Sequence, residues 1–204
     1  NQMNIVRTVT GFAQAGCAAV MIEDQVAPKR CGHTQGKSVV CRSEAIDRIY
    51  AAVEARAKHD ILILARTDAR REHGLDEALA RAEAFASIGA DILFVEEPYS
   101  IEEMATICSS VNGVHMANML EGGHTPILPP DQLEEIGFSI AAYPLTLLSS
   151  AMKAMNAALA DLAAGQSAQK HLLDFADLRE QIGFDDYHTQ ASELGARAKY
   201  SAGA

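Results

Sequence analysis

Tryptophan is absent from the 204 residues, and aromatic residues make up only 5% of them. A surface that stacks nucleic-acid bases needs aromatic platforms, so none is expected. Cations are scarce too: 17 Lys and Arg stand against 27 Asp and Glu, a formal net charge of −10. That balance argues against a phosphate-backbone or anionic-membrane partner, but leaves room for a local cationic cleft that holds a small anionic substrate. Long apolar runs are missing as well. The longest, "FSIAAYPLTLL", is interrupted by Pro144 and falls short of the roughly 18–20 residues of a spanning helix. The first residues, "NQMNIVRTV", lack the charged-then-apolar order of a signal peptide. Four cysteines (Cys17, Cys31, Cys41 and Cys108) form no CxxC pair, so reduced thiols in a cytoplasm-like compartment are expected rather than a disulfide framework or a zinc site. Cys17 and Cys108 read as small core residues.

What the chain does have is alternation. Amphipathic helical stretches each lead, through a glycine or a charged turn, into a short apolar run. "IVRTVTGFAQAG" precedes "CAAVMIED", "EAIDRIYAAVEARAKHD" precedes "ILILARTD", and "LDEALARAEAFASIG" precedes "ADILFVEE". "IEEMATICSSVNG" then precedes "VHMANML", and "PPDQLEEIG" precedes "FSIAAYP". Spacing places Ile46, Ile49, Tyr50, Val53 and Ala57 on one helix face, and Leu75, Ala78, Leu79, Ala82 and Phe85 on another. Gly16, Gly89, Gly113 and Gly137 stand where helix C-caps are wanted. Near-continuous apolar strands read as a parallel sheet covered on both sides. A helical tail follows, opened by "LTLLSSAMKAMNAALADLAAG".

An open doubly wound sheet and a (β/α)8 barrel both fit this alternation. The polar residues favour the barrel. Glu23 and Asp24, Arg66 and Asp68, Glu96 and Glu97, and Asn118 each close a different apolar run, whereas a doubly wound sheet gathers its site at one switch point beside a Gly-rich turn. Glu23, Asp24 and Glu96 are hard oxygen donors suited to a divalent ion. Arg66 offers a planar fork for a carboxylate or phosphate, although a simple ion pair with Asp68 would also account for it. Asn118 can donate to an oxyanion. Between the first two units runs "VAPKRCGHTQGK", too polar for core, with the Cys31 thiol set among Lys29, Arg30 and His33, an environment that lowers a thiol's pKa so that it can serve as acid, base or nucleophile near neutrality. His115 reads as core; His124 is undecided.

In chain order, "IEDQ" at 22–25, "PKRCGH" at 28–33, "ARTDA" at 65–69, "LFVEEP" at 93–98, "ANMLEGGHTP" at 117–126 and "AAYPLT" at 141–146 resemble the blocks of the isocitrate lyase/phosphoenolpyruvate mutase superfamily. The pattern is most similar to its branch of 2-methylisocitrate lyase, 2,3-dimethylmalate lyase and petal death protein-like enzymes. The resemblance implies a (β/α)8 barrel with Mg2+, or Mn2+ in its place, at the C-terminal mouth. It implies Glu23 at the metal site and Lys29, Cys31 and His33 as catalytic residues of a gating loop. It places Gly32, Arg66, Glu96, Asn118 and Pro144 around the substrate. A C-terminal helix exchanged between subunits implies a homotetramer, a dimer of dimers.

The family's metal-ligating aspartates, in a D-x-D-x-G-[YF]-G context, do not occur in this sequence. The expectation is therefore barrel strands 4–8 in residues 1–165, as the later part of a longer barrel, with a helical tail in 166–204. The expected activity is cleavage of a carbon–carbon bond in a 2-hydroxy di- or tricarboxylate. Its rivals are a carboxyphosphonoenolpyruvate mutase-like phosphonate enzyme, an oxaloacetate hydrolase, and a non-catalytic assembly subunit.

Overall fold

Each apolar run forms a strand where the alternation places one. The computed structural model describes residues 1–29 and 38–201, so Arg30, Cys31, Gly32 and His33 lie outside the described residues. The order is α1 (Gln2–Gln14), β1 (Ala19–Glu23), α2 (Arg42–Arg56), β2 (Leu62–Thr67), α3 (Ala69–His73), α4 (Leu75–Ser87), β3 (Ile92–Val95), α5 (Ile101–Ser110), β4 (Val114–Asn118), α6 (Pro130–Ile136) and β5 (Phe138–Ala142). After these come α7 (Thr146–Ala163), α8 (Phe175–Gln181) and α9 (Phe184–Ser201). The chain divides into two compact units, 1–147 and 148–204.

In the first unit the strands are parallel and ordered β1-β2-β3-β4-β5 without reversal. Right-handed crossovers between successive neighbours put every connecting helix on the same face. A doubly wound sheet reverses its order; this sheet is the arrangement of consecutive barrel staves. Alternation along each strand separates two layers. Outward residues Ala65, Leu93 and Val95 pack with Ile49 of α2 and with Ala78, Ala82 and Phe85 of α4. Inward residues Leu64, Ile92, Phe94 and Met116 form a second cluster with Ile140. Burying one such side chain stabilises by about 1.5–3 kcal/mol.

Helix ends follow local chemistry. Ser100 caps α5 by accepting from the Glu103 amide, and Glu103 reaches back to accept from the Tyr99 amide, a reciprocal arrangement close to a capping box. Pro130 opens α6 at a position where its missing N–H costs nothing. Gly137 closes α6 with φ +117, and a Cβ there would lie 3.0 Å from Cys108 Cβ. Gly16 and Gly89 take positive φ directly after the C-caps of α1 and α4, whereas Gly113, expected at the C-cap of α5, lies two residues beyond the cap Val111 at φ +156.

Three expectations need correction. Tyr50 and Ala57 are exposed; the buried stripe of α2 is Ala45, Ile49, Ala51, Ala52 and Ala55, because small residues let the helix approach the sheet while the tyrosine keeps its hydroxyl in water. Met21, Leu62 and Val114 remain 41–46% exposed, so two-sided covering holds for the outer layer and fails at the N-terminal ends of the inner face, where no second layer lies over them among the described residues. Cys17 and Cys108 do pack against the core, but at the margins of two clusters and half-buried rather than at their centres. His115 is core as expected: its Nε2 meets the Val111 carbonyl at 2.7 Å, and its ring stands edge-on to Phe138.

The second unit holds most of α7 together with α8 and α9. None of the residues of α7 or α8 is buried, and Leu148, Met152, Met155, Leu159, Phe175 and Tyr187 are exposed. Among the described residues no helix is long and apolar enough to cross a membrane.

Candidate active site

Side chains two apart on a strand share a face, which puts Glu23, Arg66, Glu96 and Asn118 together at the C-terminal ends of β1 to β4, on the inner face. Register confirms the level: Glu23 pairs with Arg66 and Asn118 with Ala142. Arg66, 12% exposed, is the hub. Its Nε and Nη2 donate to both oxygens of Asp68, at 2.8 and 2.9 Å. Its guanidinium also lies 3.3 Å from Glu96 and 3.6 Å from Glu23, and 5.0 Å over the Phe94 ring. Burial works against the Arg66 charge, but the Asp68 hydrogen bonds and the Glu96, Asp68 and Glu23 charges outweigh it and hold the group above its ordinary range. The Asn118 amide donates to Glu96 at 3.2 Å.

The polar stretch leaves and returns beside this cluster. Val26 donates to the Ser38 carbonyl and Val40 to the Asp24 carbonyl, each at 2.8 Å, around an antiparallel bridge between Gln25 and Val39. Arg48 of α2 donates to the Gln25 carbonyl at 2.9 Å. Lys29, largely exposed, places Nζ 3.0 Å from Glu23. The structure thus joins Glu23, Lys29, Arg66, Glu96 and Asn118. Pro144 follows β5 at the same edge and is exposed. Cys31, Gly32 and His33 lie outside the described residues.

Asp24 does not belong to the inner site, contrary to its reading as a possible metal ligand. Adjacent strand residues point to opposite faces, and Asp24 is buried outward, accepting from Thr67 Oγ1 at 2.6 Å, the Asp68 amide at 2.9 Å and Arg81 Nη1 at 3.0 Å. Glu97 likewise turns away from Glu96, meeting Arg71 at 3.2 Å and the exposed His124 at 3.6 Å. Its φ of +64 is uncommon for a residue with a Cβ. Arg81 was not foreseen. Its signal was available: it stands beside the apolar stripe of α4, where a charge calls for a buried partner.

The carboxylates suit a hard divalent ion in type, and Mg2+ is usually held by one or two of them, with waters and substrate oxygens completing the shell. Glu23 and Glu96 fit that part. Among the described residues no group of three potential ligands gathers.

Comparison with known proteins accords with this geometry. Residues 1–163 match the family described as phosphoenolpyruvate phosphomutase. The 2,3-dimethylmalate lyase of Eubacterium barkeri is 46% identical over 155 residues, covering 76% of this chain and 54% of that protein. The 2-methylisocitrate lyase of Aeropyrum pernix is 39% identical over 201 residues, covering 97% and 64%. Among solved structures, oxaloacetate acetylhydrolase in complex with 3,3-difluorooxalacetate superposes with TM-score 0.89 at 30% identity, covering 96% of this chain and 67% of that one. The chain therefore spans between about half and two thirds of the length of these relatives. With an unreversed parallel sheet, a polar cluster at its C-terminal edge and a family match over residues 1–163, the chain belongs to the phosphoenolpyruvate phosphomutase family, within the PEP mutase/isocitrate lyase superfamily.

Proposed function

We propose that the whole protein is a Mg2+-dependent carbon–carbon lyase, with Mn2+ as the alternative ion, that splits a 2-hydroxy di- or tricarboxylate of the 2-methylisocitrate or dimethylmalate type. The products are a 2-oxo acid and a smaller carboxylate. The observation that carries the reading is the Arg66 fork, held at the open end of the sheet among Glu23, Asp68 and Glu96 with Asn118 alongside. Arg66 and Asn118 orient the substrate carboxylates, and the guanidinium charge and amide donor stabilise negative charge as it moves. Transfer of the 2-hydroxyl proton to a general base forms the new carbonyl and breaks the adjacent carbon–carbon bond, whose electron pair leaves on an enolate-like carboxylate. Cys31, tuned by Lys29 and His33, supplies the proton that quenches it; Gly32 and Pro144 contribute to the substrate pocket. Bound Mg2+, held at Glu23, would polarise the 2-hydroxy acid end. The pairing of Lys29 with Glu23 supports a loop that begins at the ion's edge.

The similarity to oxaloacetate acetylhydrolase supports a second reading, oxaloacetate hydrolysis. Pro144 weighs against it, since the family resemblance associates that activity with serine at this position. A homotetramer in a reducing, cytoplasm-like compartment completes the proposal.

The test is a Mg2+-dependent turnover assay on 2-methylisocitrate, dimethylmalate, isocitrate and oxaloacetate, run beside Cys31→Ser. Turnover of a 2-hydroxy acid that collapses in the folded variant is the expected result. Unchanged turnover in Cys31→Ser removes the thiol from the chemistry. A folded protein that neither turns over nor binds Mg2+ is an assembly subunit.

A further inference from the structure

We infer that Asp24 and Arg81, buried on the outer side of the sheet, are positioning residues for the Arg66 fork on the inner side. The inference rests on the proposed role of Arg66 as the group that grips a substrate carboxylate.

Asp68 is the connection. It stands at the N-cap position of α3, with φ −101 and ψ 11, yet makes no side-chain cap hydrogen bond. An aspartate there normally accepts from an amide of the first turn. Asp68 instead turns both oxygens to Arg66. Its φ and ψ fall in the sparsely populated bridge region of the backbone map, so something must hold the turn. Asp24 does: one oxygen accepts the Asp68 amide, and the other accepts Thr67 Oγ1. Thr67 Oγ1 in turn accepts the Ala69 amide at 3.2 Å, taking over part of the capping that Asp68 forgoes.

Arg81 completes the brace from α4. Nη1 donates to Asp24 and to the Val40 carbonyl at 2.9 Å, and Nε donates to Glu77 at 2.8 Å. Asp24, Thr67, Asp68 and Arg81 are all at most 3% exposed. Well-packed apolar side chains often serve stability as well as a buried ion pair does, so this pair is read for what it orients. It fixes the Asp68 turn, which fixes the Arg66 plane. Through Val40 and the Asp24 carbonyl it also holds both ends of the stretch that carries Lys29.

Two isosteric variants test this, Asp24→Asn and Thr67→Val. The first readout is the 15N–1H signal of Arg66 Nε–H and its exchange with water, assigned by its loss in Arg66→Lys. The second is the dissociation constant of oxalate with Mg2+, by calorimetry. Asp24→Asn is expected to speed exchange and weaken oxalate by about tenfold each, the scale of losing an outer-shell partner. Thr67→Val, which keeps the Asp24–Arg81 pair, should do the same by about threefold, the scale of one net hydrogen bond. A purely structural role lowers the melting temperature and leaves both readouts alone in the folded variant, and that result overturns the inference. Faster exchange with unaltered affinity overturns it as well. If Asp24→Asn does not fold, Thr67→Val decides on the same terms. If the unaltered protein does not bind oxalate, the proposed function fails, and the exchange measurement by itself still decides whether the brace holds the fork.

Discussion

Arg66 shows how one side chain can be both structure and candidate site. Asp68 takes two of its donors, and Glu96 and Glu23 share its charge. A methionine at this position would fill much of the volume and leave three carboxylates around it without that cation. Removing one partner of a buried pair costs about 3–5 kcal/mol, so Arg66→Met is expected to lose stability on that scale in urea titration and to lose turnover entirely. An unchanged unfolding midpoint would mean that water solvates those carboxylates. The residues of this cluster were legible because each ends an apolar run, and the fork chemistry of arginine announced itself. Which of two adjacent carboxylates faced inward was not legible, since it depends on where the strand register starts. Asp24 was grouped with Glu23 for that reason.

Elements bring their own tests. The α2–α4 contact is closed by Glu77, which accepts from Arg42 and Arg81. Hydrogen bonds from Arg42, then from Arg81, hold its carboxyl down at about 2 despite partial burial. Because that lies below the ordinary 4.5, the pairing adds stability that is complete above about pH 4.5 and is lost as pH falls toward 2. Glu77→Gln should flatten the acid limb of a stability-versus-pH curve in that window; a superimposable limb would remove Glu77 from acid sensitivity. At the end of α6, Gly137→Ala puts a Cβ 3.0 Å from Cys108 at φ +117, for an expected loss of about 1–3 kcal/mol in thermal unfolding. The sequence marked this glycine, and the strands and most helices, because periodicity and caps are local. The alanine stripe of α2 escaped because alanine carries little hydropathy signal, and the short α3 escaped because five residues hold no period.

At the scale of the whole molecule, the exposed apolar residues of the second unit ask for a cover. Thirteen aromatic, Leu, Ile or Met side chains of this unit are exposed among the described residues, and periodicity cannot tell whether such a face is partnered; the exposures of Leu159 and Leu162, both near 60%, show that the unit does not cover them itself. A second copy is the expected cover, so sedimentation should give a species larger than 21.8 kDa, and Leu159→Lys should reduce its size. A monomer in both would remove the homotetramer. The back-to-back carboxylates at the ends of β1 and β3 carry a last consequence. Glu23 and Glu96 face the inner cluster around Arg66, whereas Asp24 and Glu97 face the scaffold. In a library of substitutions scored for both protein abundance and growth on the substrate, neighbours in sequence should part company: losses at 97 should deplete the protein itself, losses at 24 should also slow whatever protein remains, and losses at 23 and 96 should leave it plentiful and idle.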